Sequence, residues 1–367
     1  MTENKKKISI IPTASLVIFS LGIIAAGINI AYVLSTPFAD WFNMNVSSAL
    51  RIFLAKITSW IPFSLAEYLL IASPLLLAAV IAGAMKYAAN HEKGYIRAAF
   101  GVLSALAAAY IVFTLNFGAG YRTTTLDKRL GLDDHEVSAE ELYETMNTVV
   151  DRINELQYEV TYRMNKGSVM PYSTEECVAL CTESYDKLSG EYDFIKNCRV
   201  PVKKIILSPY MTYTHISGVY TFFTGEANLN TNYPDFVNGF TIAHEMAHQR
   251  GIARENEANF IAYLVCIGSG DEYLQYCGYM NMYEYLADAL YTASPTLYAK
   301  AALRLEAGGK FELGCYSAFF DKYRENAAAD LSEKVNDVYL ESQGTEGERS
   351  YGMVVDLAVA YHKAEKK

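Results

Sequence analysis

Two histidines and a glutamate raise the first chemical expectation. His244, Glu245 and His248 stand in the run His244-Glu245-Met246-Ala247-His248. On a helix, residues four apart project from one face about one turn apart, so both imidazoles reach a single ion. Zinc suits such a pair, taking imidazole nitrogen at about 2.0–2.1 Å. Glu245 neighbours the first ligand and points toward the metal's open position. There it serves as general base, accepting a proton from zinc-activated water and passing it to a leaving amine. With six histidines in the chain, a chance match to this pattern is expected on the order of one time in a hundred.

A third ligand must come from beyond the helix. Gly251 offers a positive-φ stop that reverses the chain, and Glu255 opens the next helix as the first carboxylate able to face back. Two histidines, a glutamate and a water form a known catalytic zinc set. Glu257 is the alternative third ligand, and Glu226 the next in line. The expected cofactor is one Zn²⁺ per chain. Tyr220 and His215 are candidates for polarising a developing oxyanion. Glu226 is a candidate strand-borne contact to substrate, and the strand over 219–223 a candidate for pairing with an extended peptide.

These residues need a frame. Ser138 followed by Glu141 has the form of a capping box, and apolar residues from Leu142 to Val160 recur at helical spacing, predicting a helix over 139–165. Ser173 or Thr174 caps a second helix to about 189. Residues 200–207 read as a strand, and 217–230 as one or two more with a turn at Thr224-Gly225. A helix follows from Asn232 and Pro234 to Arg250. Further helices are expected over 255–267, 271–293, 295–306, 311–326, 331–341 and 351–363. Six cysteines without a CxxC pair read as buried free thiols, with a disulfide to Cys198 as the alternative.

The N-terminal third is different in kind. Three apolar runs, about 8–35, 66–88 and 96–118, are each long enough to cross a hydrocarbon core of about 30 Å. The expected organisation is a membrane domain over 1–120 and an extracytoplasmic catalytic domain over 121–367. Lys5–Lys7 precede the first run, and Lys86, Lys93 and Arg97 lie between the second and third, which places both regions in the cytoplasm. Arg51 and Lys56 in the outer loop run against that rule. Residues 46–60 form an amphipathic stretch suited to the interface. Nothing in the pattern requires the first two spans to touch the catalytic part. The net charge of −10 excludes a nucleic-acid partner.

The run HEMAHQRGIARENEANF resembles the HExxH zincins of gluzincin type, whose second helix carries Glu-x-x-Ala-Asp/Asn; Glu255, Ala258 and Asn259 stand at those positions. The resemblance implies His244, His248 and Glu255 as zinc ligands and Glu245 as general base. It also implies that Asn259 orients a ligand histidine. Six residues separate His248 from Glu255, a closer spacing than in most gluzincins and nearer the tight glycine turn of metzincins. With GVYTFFTGEANLN before it and three N-terminal membrane helices, most of the chain resembles the bacterial membrane proteins grouped as DUF3810.

The fold expected is therefore mainly α, with three transmembrane helices and an α-rich, zincin-like domain carrying a small sheet. The expected function is a metallopeptidase or amidase in the cell inner membrane, with the lipid bilayer and a peptide or protein substrate at the outer face as partners. The alternative is a non-catalytic zinc-binding membrane sensor or scaffold.

Overall fold

The structure, a computed structural model, describes residues 11–90, 93–133, 135–324, 326–345 and 353–365. Three helices are long and apolar enough to cross a membrane: Thr13–Leu34, Leu65–Tyr87 and Gly94–Asn116. Their apolar side chains face outward rather than into a protein core, as helices do when lipid replaces water. Lys5–Lys7 lie outside the described residues.

The link between the first two spans is folded throughout. It holds a short helix, Thr36–Phe42, a π-helical turn, Asn43–Ser47, and the helix Ser48–Thr58. The last is amphipathic: Arg51, Ala55 and Thr58 are buried while Phe53 and Ile57 are exposed. This link packs on the soluble part. Thr58 donates to the Thr224 carbonyl at 3.1 Å, and Lys203 donates to the carbonyl of Thr58 at 3.2 Å. The sequence pattern did not require contact between this N-terminal region and the rest, and the structure shows that the link makes it. Buried polar groups on the link find their partners only in the later sequence.

The soluble part is an α-rich body with two small sheets. Ser138 and Glu141 form the expected capping box on the helix Ala139–Leu156. The helix ends earlier than its apolar periodicity predicts, because Asn165 and Gly167, both at positive φ, turn a short hairpin of Tyr162–Arg163 and Gly167–Ser168. A second capping box, Ser173 with Glu176, opens Thr174–Glu191. Of the strand expected over 200–207 only Lys203–Lys204 pairs, parallel to Glu226–Leu229. Gly218–Thr221 pairs antiparallel on the other side of Glu226–Leu229, which leaves it at the sheet edge. The turn between the last two uses Gly225 at φ +73°.

The helices Asp235–Arg250, Glu255–Ile267 and Glu272–Ala293 form the centre, packed against Ala139–Leu156 and Thr174–Glu191. Pro295–Arg304, Ala307–Phe320, Ala327–Ser342 and Val354–Glu365 surround them. The last of these packs on Glu255–Ile267, where Tyr263 and His362 hydrogen-bond at 2.8 Å. All six cysteines are unpaired, and all but Cys315 are buried.

Candidate metal centre

The helix Asp235–Arg250 begins after Pro234, whose fixed φ suits the entry to a helix, and it is buried along nearly its whole length. Neighbours on several sides therefore hold its rotation. Gly251 ends it at φ +95°. The Gly251 N–H reaches the His248 carbonyl at 2.9 Å and the Ile252 N–H reaches that of Ala247 at 3.2 Å, which satisfies two helix-end acceptors. The same reversal sets the Ile252 carbonyl 2.7 Å from His248 Nδ1. A proton on Nδ1 satisfies that carbonyl and leaves Nε2 with a free lone pair, the tautomer a metal needs. Three residues later Glu255 starts the next helix, and the small, fully buried Ala258 lets the two helices approach.

Three ligand atoms converge as a result. His244 Nε2 and His248 Nε2 are 3.0 Å apart, and Glu255 Oε2 lies 3.3 Å from the first and 3.4 Å from the second. Donors held by one tetrahedral zinc at 2.0–2.1 Å stand roughly 3.3 Å from one another. The triangle fits such an ion, and His244, His248 and Glu255 form the one group of this kind among the described residues.

The electrostatics favour a cation. Burial works to raise the Glu255 carboxyl, but His248 and His244 hold it well below the usual range. Burial works to lower His248, yet the Glu255 charge pushes it up to about 9. Burial also pushes Glu245 up to about 7 against the pull of both histidines. Two carboxylates and two imidazoles thus share a buried space whose charge a divalent ion would balance. Glu245 Oε2 and His244 Nδ1 are buried without a hydrogen-bond partner. Gly218, in the edge strand, has no room for a Cβ, which would come within 2.6 Å of Glu245 Oε1. The strand backbone therefore runs directly beside the glutamate.

The family model described as a protein of unknown function (DUF3810) matches residues 42–359. The chain belongs to the DUF3810 family. No curated protein matches the chain, and neither does any solved structure. The DUF3810 match runs through both the link between the first spans and the helices that carry His244, His248 and Glu255, so the two parts that meet at the site fall within one family match.

Other candidates fall in different places. Glu257 is buried and occupied, accepting from the Leu126 N–H at 3.0 Å and from Arg254 at 2.8 Å. Glu226 accepts from the N–H groups of Leu65 and Ala66 at 3.2 and 3.0 Å, capping the second spanning helix instead of facing the ligands. His215 Nε2 is 2.8 Å from the Tyr323 carbonyl. Tyr220 packs its ring 5.2 Å from Phe117, which lies edge-on to His248 at 6.1 Å, and its hydroxyl is buried without a partner. Asn259 is buried on the helix of Glu255, and its Nδ2 also has no partner.

Sequence reading missed Arg51 and Asn43. Arg51, only 1% exposed, donates to Asn43 Oδ1 at 3.0 Å and to the Asn116 carbonyl at 2.6 Å. Asn43 Nδ2 in turn donates to the Gly251 carbonyl at 3.1 Å. A Cβ on Gly251 would collide with the guanidinium. The signal in the sequence was an arginine flanked by apolar residues on both sides, Leu50 and Ile52, in an amphipathic segment.

Proposed function

We propose that this DUF3810 protein is a membrane-anchored, zinc-dependent metallopeptidase or amidase. The observation that carries the reading is the convergence of His244 Nε2, His248 Nε2 and Glu255 Oε2 at 3.0–3.4 Å, with Glu245 buried beside them. His244 and His248 would hold one zinc ion through Nε2, and Glu255 through a carboxylate oxygen. Zinc in such a set supplies a Lewis acid that lowers the pKa of water and polarises a carbonyl. Glu245, whose Oε2 is uncommitted, takes the proton of the attacking water and delivers it to the leaving nitrogen. Asn259, expected to steady a ligand ring, makes no hydrogen bond to either histidine, and its Nδ2 is unpartnered among the described residues, so no role is assigned to it. The edge strand Gly218–Thr221 offers free backbone groups to an extended substrate, and Tyr220 stands on that strand. The domain over 121–367 lies outside the cytoplasm of the cell inner membrane.

The decisive variant is Glu245→Gln. A binding site needs only its ligands, so this variant keeps one zinc per chain by elemental analysis. A hydrolase needs the carboxylate, so cleavage in cells stops, read by comparing membrane and secreted proteomes of wild type and variant. Identical proteomes would overturn the enzyme reading and leave a zinc-binding sensor or scaffold.

A further inference from the structure

The soluble part is tied to the spanning helices at two places, and the surface between those ties is apolar. At one tie, Glu67 in the first turn of the second spanning helix accepts the N–H groups of Ile206 and Leu207 at 2.9 and 2.7 Å. At the other, the ring of Phe222 lies 5.3 Å from Phe113 in the last turn of the third spanning helix. Tyr339, on the helix Ala327–Ser342, also meets Phe113 at 6.4 Å. These ties set the height of two elements against the bilayer, the segment 206–223 and the helix Ala327–Ser342.

Both elements turn large apolar side chains outward at that height. Ile206 is 62% exposed and Tyr210 73%, and Phe223, its ring 5.5 Å from that of Phe222, is exposed as well. On the helix, Leu331, Val335 and Val338 are all exposed and share one face by their spacing. Trp60, 88% exposed at the end of the amphipathic link helix, lies at the same margin. In water, an apolar surface of this extent would be a liability. At a membrane interface it is an anchor, and tyrosine and tryptophan favour that zone. Continuity with the spanning helices identifies the occupant as lipid.

The metal site is drawn down with this surface. The edge strand starts at Gly218, against Glu245, and runs directly into Phe222 and Phe223. Four residues of strand cover roughly 13 Å, so a polypeptide paired along this edge has one end at the metal and the other at the bilayer. We propose that Ile206, Tyr210, Phe223, Leu331, Val335 and Val338 contact lipid at the bilayer interface, and that the metal site accepts polypeptide segments emerging directly from the membrane surface. The second half rests on the peptidase reading; the first half does not.

Depth is measured on the full chain in phosphatidylcholine vesicles, with Trp41 and Trp60 replaced by Phe and one reporter introduced as Tyr210→Trp or Val335→Trp. Lipids brominated on their acyl chains quench both reporters to at least half the extent seen for a protein retaining Trp60 alone. Tyr158→Trp, an exposed site whose hydroxyl bonds Glu306 in the soluble part, stays bright. Equal quenching at 158, 210 and 335 would overturn the lipid contact. For the substrate, the zinc-loaded protein is given random-sequence peptides hung from an acylated lipid in the same vesicles. Cuts fall within about six residues of the anchor, a reach of roughly 20 Å for extended chain. Cuts spread evenly along the peptides would overturn the surface-substrate assignment. No cuts at all would count against the peptidase reading and the substrate class built on it, with lipid contact still decided by the quenching.

Discussion

Two glutamates two residues apart have opposite fates in this fold, and they can be separated by experiment. Glu255 faces the histidine pair, while Glu257 is bound to the Leu126 N–H and to Arg254. Glu255→Ala is expected to lose tightly bound zinc, because two imidazoles alone hold it weakly. Glu257→Ala is expected to keep a full complement of zinc by elemental analysis yet to be destabilised by about 1–3 kcal/mol, since it strands a buried N–H and a cation. The reverse pair of outcomes would transfer the ligand role to Glu257. A third carboxylate, Glu284, carries a pH signature. Burial, reinforced by the charge of Glu312, pushes it up to about 8 from an ordinary value of 4.5. A raised carboxyl favours the fold most below pH 4.5, and that advantage is lost as pH rises through 8. Glu284→Gln is therefore expected to be more stable than wild type at pH 9, by on the order of 1 kcal/mol, with the gain vanishing toward pH 5. Melting curves in detergent at the two pH values check this.

At the scale of elements, what could be read in advance was local. Ser138 with Glu141, and Ser173 ahead of its helix, announce helix starts because the cap residues are neighbours in sequence. Gly251 announces a reversal for the same reason, and Glu255 follows it by simple reach. The early end of Ala139–Leu156 was not legible, since Val160 extends the apolar period while remaining buried outside the helix. Least legible was the clamp on the Gly251 turn, whose partners Asn43 and Gly251 are 208 residues apart. No periodicity encodes such a contact. Its weight is testable. Arg51→Ala removes the donor to Asn43 and Asn116 and leaves those acceptors buried without partners, at a cost of about 2–4 kcal/mol. It also frees the reversal that aims Glu255. Expected are a lower melting temperature and faster loss of zinc to a chelator. A variant as slow to lose zinc as wild type would show that the turn holds itself.

At the scale of the whole molecule, the placement of charges bears on its orientation in a membrane. The C-terminal end of the first spanning helix, the N-terminal end of the second and the C-terminal end of the third must share one side, because the link 35–64 packs on the soluble part. Lys86 near the end of the second helix, Lys93 between the helices and Arg97 in the first turn of the third lie at the other end of the spans. Arg51 weakened the charge argument when read from sequence, as a cation in the loop on the soluble side. In the fold it is buried and bonded, so it behaves as an internal strut and not as a free juxtamembrane charge. Lys56 then remains as the one exposed cation of that link, outweighed by Lys86, Lys93 and Arg97, whose side the Lys/Arg rule predicts to be cytoplasmic. On that rule the soluble part and its candidate metal site are expected to face outward. A reporter active only in the cytoplasm is therefore expected to be silent when fused after Lys367 and active when inserted beside Lys93. Strong activity from the C-terminal fusion would reverse the orientation, and with it the compartment from which any substrate comes.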